Sequence, residues 1–202
     1  MKRKIGILGG TFNPIHLAHL YIAYEAKRQL GLDKVIFMPA GSPPHKDNNK
    51  IVGASFRYEM VKEAIKNYED FEISDYEINK AGSSYTCETL EYLKNDDNEL
   101  YFITGADCLL TIEKWNEPNK ILKLAKFVVF NRGGYSKEDL LKQKDKIEKK
   151  YNTNIEVLDE SESETVIYVS KNGLYIGKII LGDEIKEEAY ETLEYLNNHK
   201  MK

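Results

Sequence analysis

Residues Ile5-Gly6-Ile7-Leu8-Gly9-Gly10-Thr11-Phe12-Asn13-Pro14-Ile15-His16-Leu17-Ala18-His19 put an apolar run, a glycine pair and two histidines in close succession. Glycine has no side chain to keep an anion away from backbone amides, so a Gly-Gly turn after a strand can approach a phosphate closely. If a helix begins near Ile15, His16 and His19 lie on one face of its first turn. That end of a helix already favours negative charge. Two imidazoles over a glycine-lined helix start form a polyphosphate cradle, and the chemistry they suggest is that of an enzyme handling a nucleoside triphosphate. The pattern is neither of two commoner nucleotide loops. Gly6, Gly9 and Gly10 do not fit G-x-G-x-x-G, and no Gly-Lys-Ser/Thr ending follows them. A strand–Gly–Gly–helix start by itself is common in doubly wound proteins; the paired histidines are what set this one apart.

The elements that must position these residues follow from periodicity. Lys4 to Leu8 is a short apolar run ended by glycines, the pattern of a buried strand. Leu17 to Leu30 is expected to be a helix stopped by Gly31, and Lys34 to Pro39 a second strand. Ala40 to Lys50, rich in Gly, Pro, Asn and Lys, is expected to be loop. Further helices are expected at Ser55–Asn67, with apolar positions at Met60, Val61, Ala64 and Ile65, and at Thr86–Asn95. Phe71 to Ile78 alternates like a strand. Leu100–Thr104 and Phe127–Asn131 are also expected to be strands, with short helical segments at Ile112–Trp115 and Asn119–Leu124 between them. Ser136–Tyr151 is a charged surface helix with Leu140, Leu141 and Ile147 as its apolar positions, and Asn154–Leu158 supplies one more strand. This β-α-β-α alternation implies an α/β fold with a mostly parallel, doubly wound sheet and helices on both faces. Ligands of such sheets bind beyond the carboxyl ends of the strands, where the turns after Leu8, Pro39, Thr104 and Asn131 fall.

Composition narrows the function classes. The 202 residues suit one α/β domain with a small appendage. A formal charge of −4 argues against a general nucleic-acid binder. No apolar run approaches the ~20 residues needed to cross a bilayer. The amino terminus enters a strand directly, so no signal peptide is expected. Cys87 and Cys108 lack metal-site spacing and suggest no disulfide scaffold, which fits a cytoplasmic location.

Gly-Gly-Thr-Phe-Asn-Pro-Ile-His-Leu-Ala-His resembles the G-x-F-D-P-x-H-x-G-H signature of the nucleotidylyltransferase superfamily. Four later stretches narrow the resemblance: Pro39-Ala40-Gly41-Ser42-Pro43-Pro44-His45-Lys46; Gly82-Ser83-Ser84-Tyr85-Thr86 with Thr89-Leu90; Ile103-Thr104-Gly105-Ala106-Asp107 with Lys114-Trp115; and Phe127 to Tyr135 around Asn131-Arg132-Gly133-Gly134. In this order they are similar to the bacterial nicotinate-nucleotide adenylyltransferases, over residues 1–158. The resemblance implies a Rossmann-like nucleotidylyltransferase domain. It implies transfer of the adenylyl group of ATP to nicotinate mononucleotide with release of pyrophosphate, in NAD biosynthesis. The mononucleotide phosphate is the nucleophile, so the protein's task is positioning and charge stabilisation.

The resemblance also implies residue roles. Gly9, Gly10 and Thr11 would lie against ATP and the transferred phosphate. His16 and His19 would hold the triphosphate and stabilise charge as pyrophosphate leaves. Lys46 would bind phosphate, and Gly105 and Asp107 would border the adenosine. Arg132 either faces phosphate or pairs with a surface acid. Thr86 and Trp115 would hold the nicotinate, the indole stacking on the pyridine ring, and backbone amides nearby could select carboxylate over carboxamide. Mg2+ would arrive with ATP, without a dedicated protein metal site. The expected partners are ATP and nicotinate mononucleotide, with no nucleic acid, no membrane and a homodimer as an open possibility. Asn13 and Ala18 replace an aspartate and a glycine of the signature.

Residues 159–202 depart from that pattern. Where an Ile-Ser-Ser-Thr-x-Ile-Arg motif is expected, the chain has Asp159-Glu160-Ser161-Glu162-Ser163-Glu164-Thr165, and no arginine follows Arg132. An acidic stretch repels phosphate rather than binding it. Val166 to Leu196 resembles instead a hairpin and helix of heavy-metal P-type ATPases, with Asn172 in the turn. None of that family's phosphorylation motif is present, so no pump activity is implied. Two readings stand: an active adenylyltransferase with a divergent tail packed on the domain, or a chimeric, catalytically impaired nucleotide binder.

Overall fold

A computed structural model describes residues 2–42, 51–131, 135–159 and 164–182. In chain order the elements are β1 (Arg3–Gly10), α1 (Leu17–Leu30), β2 (Lys34–Pro39), α2 (Ala54–Ile65), β3 (Phe71–Ile73), α3 (Tyr76–Asn79), α4 (Thr86–Leu93), β4 (Asn98–Gly105) and α5 (Ala106–Thr111). A 3-10 turn (Ile112–Lys114) follows, then α6 (Pro118–Leu124), β5 (Ala125–Asn131), α7 (Lys137–Tyr151), β6 (Ile155–Asp159), β7 (Glu164–Lys171) and β8 (Leu174–Gly182).

The apolar runs become strands because both faces of the sheet are covered. Six strands pair in the order β3-β2-β1-β4-β5-β6, every pairing parallel. Successive residues of each strand enter opposite cores. Ile5, Ile7, Leu100, Phe102, Phe127 and Val129 face α4 to α7. Leu8, Val35, Tyr101, Ile103, Val128 and Phe130 face α1 and α2. A register slip of one residue would exchange these sets, so burial of about 1.5–3 kcal/mol per large side chain fixes the register. The chain steps outward one way across the sheet from β1 to β3 and the other way from β4 to β6, so the order reverses at the neighbouring pair β1 and β4. A crevice opens there at the carboxyl ends.

Helix α1 stops where expected: Gly31 takes φ 61 and its N–H donates to Lys27 O, a left-handed cap only glycine adopts at little cost. The expected strand over Phe71–Ile78 is shorter. It ends at Ile73, and Ser74 Oγ accepts the Tyr76 N–H (3.3 Å) while Asn79 Nδ2 donates to Asp75 Oδ2 (2.8 Å). These local side-chain bonds turn the chain into α3.

Strands β7 and β8 form an antiparallel hairpin whose turn residues Asn172 and Gly173 have φ of 54° and 80°. The Tyr168 and Tyr175 rings lie 5.0 and 5.6 Å from the Tyr21 ring of α1. Burial pushes the Tyr175 hydroxyl up to about 12. Asn67 Nδ2 donates to Asn172 O at 3.0 Å, and the Tyr175 N–H donates to the Tyr68 hydroxyl. The helix expected to run through Leu196 lies outside the described residues.

Candidate active site

The ends of β1, β2 and β4 surround a cavity of ≈ 240 Å³. Gly9, Gly10 and Thr11 line one part of it, and Thr86 and Trp115 another. Five of the expected site residues, from three separate stretches of sequence, therefore meet in one crevice. Gly105 closes β4 and caps α5, and Asp107 is exposed in the first turn of α5. Both stand at the same edge of the sheet without lining the cavity. Lys46 and Arg132 lie outside the described residues.

His16 and His19 sit at the start of α1. The His16 N–H donates to His19 Nδ1 at 3.2 Å, and the His19 N–H donates to His16 O at 2.9 Å. A ring nitrogen that accepts a backbone N–H carries no proton, so the neutral His19 ring carries its proton on Nε2. The two rings are packed at 3.8 Å between centroids. Phe12 meets His19 edge-on at 5.1 Å and is buried itself. Phe12 takes φ 47, a conformation that costs a non-glycine residue about 1–3 kcal/mol and persists only where packing enforces it. The absence of a side chain on Gly10 lets the Phe12 ring come this close: a Cβ there would be 3.0 Å from it. Neither histidine lines the first cavity; His16 lines a second one, of ≈ 500 Å³, with Lys66, Asn67 and the hairpin residues Asn172 and Gly173. The tail thus reaches the α1 start.

Trp115 is held from behind. Its ring stands nearly perpendicular to Phe102 and Phe127, with centroids 6.1 and 6.4 Å away, and Nε1 donates to Thr111 Oγ1 at 3.4 Å. Just before it, Glu113 is gripped by Lys146 and Lys150 of α7 at 2.5 and 2.7 Å. Those ammonium groups hold the Glu113 carboxyl down to about 2. The indole serves as core anchor and cavity wall together.

Two residues of this site escape sequence reasoning. Arg57 is 1% exposed, and its guanidinium donates to Thr11 O (2.6 Å), Ala40 O (2.6 Å), Gly41 O (3.2 Å) and Val52 O (2.8 Å). One side chain thereby ties the Gly-Gly-Thr loop to the loop after β2 and to the start of α2. Desolvation pushes the guanidinium below its usual range. The available signal is its place four residues before Val61 and eight before Ile65, on the buried stripe of α2. Asn13 joins the same clamp, its Oδ1 accepting the Val52 N–H at 3.1 Å. A carboxylate could accept that bond equally, so the departure from aspartate keeps this contact. The second residue is Glu77 on α3, buried and lining the cavity.

Close backbone packing joins these parts. A Cβ on Gly41 would stand 2.0 Å from the Glu77 carbonyl oxygen. Gly41→Ala must therefore push the 40–42 loop away from α3 and from Arg57. The expected cost is about 1–3 kcal/mol, seen as a lower melting temperature together with a raised KM for substrate. An unchanged melt would contradict the packing.

Residues 7–174 match the Cytidylyltransferase-like family. A probable nicotinate-nucleotide adenylyltransferase of Clostridium botulinum (strain Alaska E43 / Type E3) is 63% identical over 156 residues, covering 77% of this chain and 78% of that protein. One of Clostridium beijerinckii is 58% identical over 201 residues, covering 96% and 98%, so that alignment runs into the tail. Among solved structures, the nicotinic acid mononucleotide adenylyltransferase of Plasmodium falciparum complexed with NaAD superposes with a TM-score of 0.66 at 20% identity, over 79% of this chain and 76% of that one. That likeness supports the Rossmann-like α/β fold. On the strength of the family match and of the near full-length relatives, the chain belongs to the cytidylyltransferase-like family and, within it, to the nicotinate-nucleotide adenylyltransferases.

Proposed function

We propose that this enzyme transfers the adenylyl group of ATP to nicotinate mononucleotide, giving nicotinate adenine dinucleotide and pyrophosphate for NAD biosynthesis. The observation that carries the residue assignment is the cavity at the strand-order reversal. It has a glycine-lined turn at one part, Thr86 and a half-buried indole at another, and two histidines at the adjoining helix start. In this reading Gly9, Gly10 and Thr11 approach the reacting phosphates, and His16 and His19 stabilise charge on them. Lys46 and Arg132 add cationic contacts, and Gly105 and Asp107 border the adenosine. Trp115 stacks on the pyridine ring beside Thr86. No protein nucleophile is needed, because the mononucleotide phosphate attacks the α-phosphorus and pyrophosphate departs.

Among the described residues no three His, Cys, Asp or Glu side chains stand together as a metal cage. ATP would bring Mg2+ on its own phosphate oxygens and water, where the ion would neutralise phosphate charge. Among the described residues no helix is long and apolar enough to cross a membrane; a cytoplasmic enzyme of small-molecule substrates is the reading we adopt.

Pyrophosphate release from ATP and Mg2+ tests the proposal. Robust release with nicotinate mononucleotide, and at least about tenfold less with nicotinamide mononucleotide, is expected. A folded protein that binds the mononucleotide and releases nothing would overturn the reaction. It would favour the one other reading an observation supports, a nucleotide binder without turnover, suggested by the acidic Asp159–Glu164 stretch.

A further inference from the structure

The cavity that holds Thr86 and Trp115 also has an acid in its wall. Glu77 is 8% exposed, and its Oε1 accepts the Thr89 hydroxyl at 2.6 Å. Ser84 and Thr89 line the same cavity. Among the described residues, the charged groups acting on Glu77 are Lys80, at the end of α3, and Glu88 of α4. Lys80 is bonded to Glu88, so among the described residues Glu77 has the Thr89 hydroxyl as its partner and is not clasped by a cation. Cys108 of α5 is, among the described residues, the other titratable side chain on this cavity. Burial pushes the Glu77 carboxyl up, against smaller opposing effects of Thr89, Ser84 and Lys80.

A buried carboxyl is ill-suited to face a substrate carboxylate while ionised, because two like charges in one dry cavity repel. Protonated, it has one hydroxyl to donate; ionised, it can only accept. We propose that Glu77 reads the substituent on the pyridine ring: as the neutral acid it donates to a ring carboxylate, and as the carboxylate it accepts from a ring carboxamide. Glu77 is then a specificity-determining residue, and the proton on it sets the preference between the two mononucleotides. The inference rests on the proposed reaction for its substrates and on the cavity for its geometry.

The sign follows. A substrate carboxylate binds the protonated form, so the ratio of kcat/KM for nicotinate over nicotinamide mononucleotide is highest at low pH. It falls as pH rises through the titration of Glu77. A drop of about tenfold or more between pH 5 and pH 9 is expected. Glu77→Gln keeps the shape, still accepts the Thr89 hydroxyl and always has an N–H to donate. Its ratio should stay level across that range, at or near the acid limit of the unaltered enzyme. A flat ratio in the unaltered enzyme, or a Gln variant that keeps the same fall, overturns the proposal.

Trp115 is the chain's single tryptophan, which gives a second measurement free of turnover and of any variant. Quenching of its fluorescence by free nicotinate should weaken with rising pH relative to quenching by free nicotinamide; parallel pH dependences would overturn the proposal. If the enzyme turns over neither mononucleotide, the proposed reaction fails, and the quenching titration still decides the role of Glu77.

Discussion

His19→Asn should be folded, as stable as the unaltered protein within about 0.5 kcal/mol, and nearly inactive. The two ring nitrogens of His19 do separate jobs. Nδ1 accepts the His16 N–H and so completes the first turn of α1. Nε2, which carries the proton of the neutral ring, is the group that, on the proposed assignment, would donate to phosphate oxygen as charge develops. An asparagine side chain places its carbonyl oxygen near the position of Nδ1 and reaches no further. It keeps the helix-start bond and removes the donor. Loss of one such donor costs about 10²–10³-fold in kcat. Glutamine places its amide near the position of Nε2 instead. His19→Gln should keep more of kcat while losing the helix-start bond, at a cost of about 0.5–2 kcal/mol. Melting temperatures and kcat for the two variants should therefore rank in opposite orders. If Asn and Gln lose activity equally, His19 acts through the shape of the helix start rather than through Nε2.

The parts of this molecule most legible in its sequence are those whose physics is local. A strand buried on both faces is a continuous apolar run, so Ile5–Leu8, Val35–Met38, Leu100–Ile103 and Phe127–Phe130 announce themselves. The glycine pair and the two histidines are adjacent in sequence, and their spacing fixes their placement once α1 begins. Thr86 and Trp115 are different. They are distant from the Gly-Gly-Thr turn in sequence, and family likeness rather than periodicity brings them to it. Glu77 is hidden because Phe71, Ile73, Tyr76 and Ile78 mimic alternation, whereas Ser74 and Asp75 side chains bend the backbone into α3. No pattern in the sequence shows that the Glu77 carbonyl will pack against Gly41. The hairpin turn at Asn172-Gly173 is legible from turn chemistry; its place beside His16 is not, because it depends on tyrosines of α1 and of the hairpin packing together.

Arg57→Met should cost more than any surface change and should act on substrate binding through the loops it ties. The guanidinium supplies donors to four carbonyl groups, one after β1 and three at the two ends of the connection between β2 and α2. A buried acceptor left without its partner costs about 1–3 kcal/mol. Methionine fills much of the space but donates nothing. Water entering beside the partly exposed Val52 can satisfy some of these groups, so we expect a total of about 2–4 kcal/mol. For a chain of this size that is a fall of about 5–15 °C in melting temperature. Arg57→Lys keeps the charge with a single point of attachment, which cannot reach the Thr11, Ala40 and Val52 carbonyls together. It should recover part of the stability and less of the activity. Thr11 and Ala40 both line the cavity, so a slackened clamp displaces the walls against which, on the proposed assignment, ATP and the mononucleotide would meet. A displacement of about 1 Å in such a site costs on the order of 10²-fold in rate. The expected signature is a KM raised for both substrates with kcat also reduced, at a temperature where the variant is still fully folded. Unchanged kinetics in a destabilised but folded variant would make Arg57 a stabiliser of α2 alone. Unchanged stability would mean that the four carbonyl contacts are dispensable in solution.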